Sequence, residues 1–158
     1  MSLPALPSDG PGYIYALELA GKCCGGPVER HWYKYPTADA SRPDLIRIKV
    51  GRSVDVHTRL SQHRNTCPSS RPRLLGYFPA RTLSRRSPAV PFCDRLERLV
   101  HIELADISAR SYPPARGHRR HTEIFVFKRL QGKRRGREWE TIIRPVVERL
   151  ARLVKRMR

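Results

Sequence analysis

Five cationic or imidazole side chains crowd the turn and helix that end the stretch Ile46 to Arg64. They are Arg52, His57, Arg59, His63 and Arg64. Cations held at fixed points suit a polyanion, and the planar fork of an arginine matches phosphate oxygens better than a lysine does. A second group lies further on, where Glu97 stands four residues before His101. That spacing puts both on one face of a helix. A third group is Lys133, Arg134, Arg135 and Arg137, in a run that is nearly all glycine and cation. Like charges this close repel unless something negative is near, and contact with a phosphate backbone accounts for them. Each group also has a plainer account: a solvated cationic face, or an ordinary contact between Glu97 and His101.

The elements that must position these groups follow from patterning. Ile46, Ile48 and Val50 alternate with Arg47 and Lys49, the period of a strand with one apolar face. Gly51 is expected to stop that strand in a sharp turn. Ser53 is expected to cap a short helix over 54–64, with Asp55 in its first turn and Val56 and Leu60 buried. Gly12 to Leu19 alternates tyrosines with apolar residues and reads as an earlier strand. Leu74 to Pro79 reads as a third strand, and Thr122 to Lys128 as a further short one. Leu96, Leu99, Val100, Leu104 and Ile107 keep the 3.6-residue period of a helix over 92–110. Trp139 to Val154 carries a second apolar stripe, which Pro145 is expected to kink or split. Between the first two strands lies a long loop, Gly21 to Asp44, whose His31, Trp32, Tyr33, Lys34 and Tyr35 mix aromatics with cations. Those residues could touch nucleic acid or simply tuck the loop onto the domain.

Lys and Arg number 32 against 14 Asp and Glu among 158 residues, a formal net charge of +18. Such a field draws nucleic acid or an anionic surface. The excess is uneven: Arg110 to Arg158 holds 16 Lys and Arg against 4 Glu. Hydrophobic residues make up 39%, which argues against wholesale disorder. No apolar run is long enough to span a membrane, and no secretory signal is visible, so a nuclear or cytoplasmic location is expected. Cys23, Cys24, Cys67 and Cys93 lack a zinc spacing and read as free thiols; a zinc site pairing Cys67 or Cys93 with a histidine is the alternative. The expected organisation is a disordered leader over 1–11, a domain over 12–130, and a basic helical extension over 131–158 packed on it.

Several pieces together resemble the GIY-YIG nuclease superfamily, and within it the phage-type DNA-binding branch also common in fungal proteins. Tyr13-Ile14-Tyr15 after Gly12 resembles its first motif, and Lys49-Val50-Gly51 followed by Arg52 its second. Arg59 falls where the superfamily places a helix arginine. Leu96-Glu97-Arg98-Leu99-Val100-His101 resembles the helix that carries its metal-binding glutamate, and His121-Thr122-Glu123-Ile124-Phe125 a later strand. The resemblance implies an α+β fold, with a small three-stranded antiparallel sheet flanked by helices; here an extra C-terminal helix follows. It also implies a divalent-metal-dependent endonuclease acting on duplex or branched DNA. Glu97 would hold Mg²⁺ or Mn²⁺. Arg59 would brace the phosphate. Tyr15 would deprotonate water if a cation such as Lys49 lowered a pKa that is ordinarily about 10. His63 would touch phosphate or relay a proton. Two departures, Lys49 in place of the second motif's tyrosine and the absence of a late asparagine, keep open a DNA-binding module without turnover. A protein-interaction domain for acidic partners is a third reading.

Overall fold

The structure is a computed structural model and describes residues 9–21, 43–80, 88–111 and 123–157. The aromatic run His31 to Tyr35, Cys23, Cys24, His121 and most of the leader lie outside the described residues. Four strands form one antiparallel sheet: β1 (Tyr13–Leu19), β2 (Leu45–Ser53), β3 (Pro72–Phe78) and β4 (Ile124–Lys128), in the order β3-β1-β2-β4. Three helices flank it: α1 (Val56–Thr66), α2 (Cys93–Ser111) and α3 (Arg144–Arg156).

The class is therefore α+β, but the sheet has four strands rather than three. The fourth is the short Phe125-bearing strand, which joins the free side of β2. An uncovered β2 would leave a row of unpaired backbone groups on its outer side. Leu45 to Lys49 instead pair with Lys128 to Ile124.

Alternation in β1 and β2 decides what each face buries. Ile14, Ala16, Ile46, Ile48 and Val50 point into the main core, with Leu96, Val100 and Leu104 of α2. Arg47 is buried as well, and it donates to the carbonyls of Leu19 and Gly21. The opposite face is smaller. There Tyr15 and Leu17 pack under Val56 and Leu60 of α1.

The C-terminal segment belongs to the main core. A π-turn over Trp139–Ile143 runs into α3, and Trp139, Ile143, Val147 and Leu150 all pack beside α2. Pro145 stands at the junction where the π-turn gives way to α3, with helical backbone at Ile143 and Arg144 on the way in, so the helix changes form there without a break. Trp139 sits on Gly76 of β3: a Cβ at residue 76 would lie 2.4 Å from the indole Nε1, so only glycine admits the ring.

Two further expectations need correction. The leader does not extend to residue 11. The Asp9 carboxylate accepts from Arg95 N (3.3 Å) and pairs with Arg95 Nε (3.5 Å), and Cys93 N donates to Gly10 O (3.1 Å), so residues 9 and 10 cap the start of α2. Nor are all the thiols free: Cys93 is free and buried, whereas Cys67 is disulfide-bonded. Among the described residues no helix is long and apolar enough to cross a membrane.

Candidate active site

Gly51 does not end β2, which runs on to Ser53. Its importance is steric. It lies opposite Tyr15 in the β1–β2 register, and a Cβ on it would meet the Tyr15 hydroxyl oxygen at 2.8 Å. Glycine lets the phenol ring lie across the strand, where it is 2% exposed. So placed, Tyr15 Oη sits 3.2 Å from Nε2 of His63 on α1. Asp55, not Ser53, caps that helix. The Asp55 carboxylate accepts from the backbone N–H groups of His57 and Thr58, while Ser53 bonds only the backbone of Asp55. Those bonds, chiefly from Thr58, hold the Asp55 carboxyl below its ordinary range.

The His63 imidazole is pushed down to about 4. Burial contributes most, then the charges of Lys49 and Arg59, with Glu123 opposing them. At neutral pH the ring is therefore uncharged, and in its Nδ1–H tautomer Nε2 can accept the Tyr15 proton. Lys49 is mostly buried, and its ammonium donates to Glu123 Oε2 at 2.7 Å. Lys49 thus comes to the site already paired. Arg59 is exposed, one helical turn before His63, and its guanidinium reaches only as far as Gln62 Oε1 at 3.1 Å among the described contacts.

Glu97 approaches from the other side of the sheet edge. Strand β4 covers β2 as far as Lys49, and Val50 N still donates to Glu123 O (2.9 Å). Beyond that point α2 takes over. His101 Nε2 lies 2.8 Å from Val50 O, and because a carbonyl only accepts, that nitrogen carries the proton. The Glu97 carboxylate accepts from the backbone N–H of Arg52. Glu97 also lies 3.8 Å from Arg52 Nε and 4.0 Å from His101 Nε2. Burial raises the Glu97 pKa, and the negative charge of Glu123 adds to the rise; His101, Arg52 and the Arg52 N–H oppose it. Since Glu123 acts on both His63 and Glu97, it joins the groups of the two faces.

The structure thus brings Tyr15, His63, Lys49 and Arg59 together on the α1 face near the open end of β2, while Glu97 reaches the same strand end from the α2 face. Arg52 is next to them, yet its guanidinium is held by Asp94 (2.6 Å). Arg64 is exposed in the last turn of α1. The remaining cations are elsewhere. Because β4 runs antiparallel to β2, the chain leaves the sheet beside Leu45, six residues from Gly51, or about 20 Å at strand rise. Lys133, Arg134, Arg135 and Arg137 therefore form a separate exposed patch. In the sequence Glu123 stands only within the stretch that resembles a later strand, and its pairing with Lys49 is visible only in the structure. Asp94 gave no signal.

Among the described residues no group of three or more His, Cys, Asp or Glu is placed to hold a metal ion. What they offer is sparser: a partly buried carboxylate, Glu97, whose charge burial disfavours, with a second carboxylate in its field. That donor set fits a hard cation that keeps most of its waters, such as Mg²⁺ or Mn²⁺, and does not fit zinc.

Comparison with protein-family models matches residues 45–153 to "Meiotically up-regulated gene 113" (MUG113). Neither the curated proteins nor the solved structures contain a match. The family match corrects the resemblance drawn from the tyrosine and glycine motifs, since it is not to a GIY-YIG family. It takes in β2, β3, β4, α1, α2, the π-turn and most of α3, well over half of the chain. The chain belongs to the MUG113 family.

Proposed function

We propose that this domain binds DNA and hydrolyses phosphodiester bonds in it at the open end of β2, with a divalent cation as helper. The observation that carries the reading is the contact between Tyr15 Oη and an imidazole kept neutral by its surroundings. Water attacking phosphorus must lose a proton as the new P–O bond forms and the bond to the leaving sugar oxygen breaks. Tyr15 can take that proton while passing its own to His63, which ends as an imidazolium, and the released sugar oxygen takes a proton from solvent. Arg59, exposed and unencumbered by a carboxylate among the described contacts, is suited to brace the non-bridging oxygens as charge builds on them. Lys49 supports the same potential from beneath. Glu97, with Glu123 nearby, would hold Mg²⁺ or Mn²⁺. When bound there, that ion supplies Lewis-acid polarisation of the phosphoryl group. The formal charge of +18 supports a polyanionic partner, and a nuclear or cytoplasmic setting suits it.

A second reading, DNA binding without turnover, draws support from Arg52. Its backbone N–H and its guanidinium both engage the carboxylates of α2, which competes with a cation for Glu97. Incubation with supercoiled plasmid and Mg²⁺ or Mn²⁺ separates the two. Hydrolysis predicts nicking that Tyr15→Phe, Arg59→Ala and Glu97→Ala each reduce. If the unaltered chain nicks no faster than Arg59→Ala, the hydrolytic reading is rejected, and salt-sensitive binding to intact plasmid would leave the second.

A further inference from the structure

We propose that Tyr77, Tyr13 and His57 form a stacking subsite for an unpaired base of the DNA strand held at the cleft. The inference rests on the phosphate-binding role given to that cleft, and it narrows the substrate to DNA with an unpaired nucleotide beside the bound phosphate.

Three rings meet at the margin of the α1 face. Tyr13 and Tyr77 have centroids 6.2 Å apart with planes at 80°, and His57 and Tyr77 lie 6.4 Å apart at 73°. Tyr13 and His57 therefore both stand nearly perpendicular to Tyr77. The buried cluster beneath α1 is already filled by Tyr15, Leu17, Val56 and Leu60. Tyr13 and Tyr77 pack at its rim and stay partly open, while His57 is exposed. Position links this group to the cleft. Tyr77 is the direct cross-strand partner of Tyr15, one strand spacing away, at about 4.8 Å. His57 and Arg59 are both exposed on α1, but at two residues apart they project to different sides of the helix, so Tyr77, beside Tyr15, carries the link to the cleft.

The chemistry of the ligand follows. Bases in a duplex are stacked on one another and offer only their edges in the grooves. A side-chain ring can use the face of a base only when that base is out of the stack, as in single strands, bulges and flipped nucleotides. Every base has such a face, so the platform would favour an unpaired nucleotide without choosing which.

Binding measured by fluorescence anisotropy in EDTA, with no turnover, tests this with three probes. They are a single-stranded DNA oligonucleotide, a blunt duplex of the same sequence, and the single strand with abasic residues. The unaltered protein should hold the intact single strand more tightly than the abasic one. Tyr77→Ala should weaken the single strand by about 5- to 150-fold and the duplex by less than about twofold. Tyr77→Phe should match the unaltered protein. His57→Ala, at an exposed position, should shift the single strand in the same direction, and it decides the matter if Tyr77→Ala does not fold. Equal effects on strand and duplex, no effect on either, or an abasic strand bound as tightly as the intact one would overturn the platform while leaving DNA binding in place. Failure of the unaltered protein to bind any probe would remove the DNA reading and this one with it.

Discussion

Replacing Gly51 with alanine tests the reasoning about the site at its tightest point. The added methyl would meet Tyr15 Oη at 2.8 Å and Cζ at 3.0 Å, closer than carbon atoms settle without movement. The ring cannot easily retreat, because it is buried under Val56 and Leu60. Overpacking of this kind costs about 1–3 kcal/mol. Against that, Gly51 lies in a regular strand, so alanine recovers about 0.4–1 kcal/mol by restricting the unfolded chain. The expected net loss is about 1–2 kcal/mol. Urea denaturation followed by circular dichroism measures it. Tyr15→Phe supplies the control. It deletes the oxygen at 2.8 Å but leaves the ring carbon at 3.0 Å, so only part of the strain is relieved. In the Phe background Gly51→Ala should therefore destabilise less, by a coupling of about 0.5–1 kcal/mol, above the few tenths seen between independent sites. Nicking by Gly51→Ala should also fall, because the displaced hydroxyl leaves His63. Strict additivity of the two changes, or an alanine variant as stable as the original, would refute the steric account of Gly51.

Three other outcomes follow from the same geometry. Followed by NMR against pH, the His63 ring should titrate near 4. A folded pKa below the ordinary 6.5 means that the unfolded chain binds the extra proton first. Stability from this group is thus complete above 6.5 and drains away as pH falls towards 4; a midpoint near 6.5 would remove the neutral acceptor from the site. Glu18 gives the corresponding carboxylate case. Burial alone would raise its pKa, but hydrogen bonds and charge from Arg129 and Arg73 outweigh it and the pKa is lowered. Its contribution is present above about 4.5 and lost on acidification through the lower folded value, so Glu18→Gln should cost about 1–3 kcal/mol at pH 7 and flatten the acid limb of thermal denaturation. Finally, replacing Lys133, Arg134, Arg135 and Arg137 together with alanine should lower the slope of log affinity against log salt by at most about 3.6, or about 0.9 for each phosphate left unneutralised, while nicking at saturating protein persists. Abolition of nicking at saturation would mean that this patch belongs to the cleft after all.

Strands β1 to β3 and helices α1 and α2 were legible to within a few residues, because alternation and the 3.6-residue period are local signals that burial reinforces. The fourth strand was legible as a segment but not as part of the sheet. Whether Ile124 to Lys128 pairs with β2 or with nothing is a tertiary fact, and no local pattern encodes it. Gly51 was noticed for the wrong reason. A glycine after an alternating run suggests a turn, whereas close approach by a ring from another strand leaves no mark in the neighbouring residues. The candidate site was legible as a set of residue types; the structure places Tyr15, Lys49, Arg59 and His63 near one another and Glu97 on the other face of the same strand end. The patch at Lys133 to Arg137 was legible as a separate cationic run, but not its distance from the site, because charge can be read from sequence and direction of travel along a sheet cannot.

The placement of the site has a structural cause that does not depend on any activity. A strand longer than its neighbour leaves backbone donors and acceptors at its end, and these must be satisfied. Here β4 stops opposite Lys49 while β2 continues to Ser53. Side chains of α2 make up the difference, His101 at the Val50 carbonyl and Glu97 at the Arg52 N–H. A further strand would have closed that edge with backbone and left nothing chemically active there. A helix closing it must use polar side chains, here a carboxylate and an imidazole where Ser108 serves β4, and these lie at the strand end that Tyr15, His63 and Arg59 approach from the other face. Edge closure and a polar cleft are then the same arrangement. Glu97 would be expected at this position for the sake of the sheet alone, so its role in stability and any role in cation binding have to be separated by measuring both in the same variant.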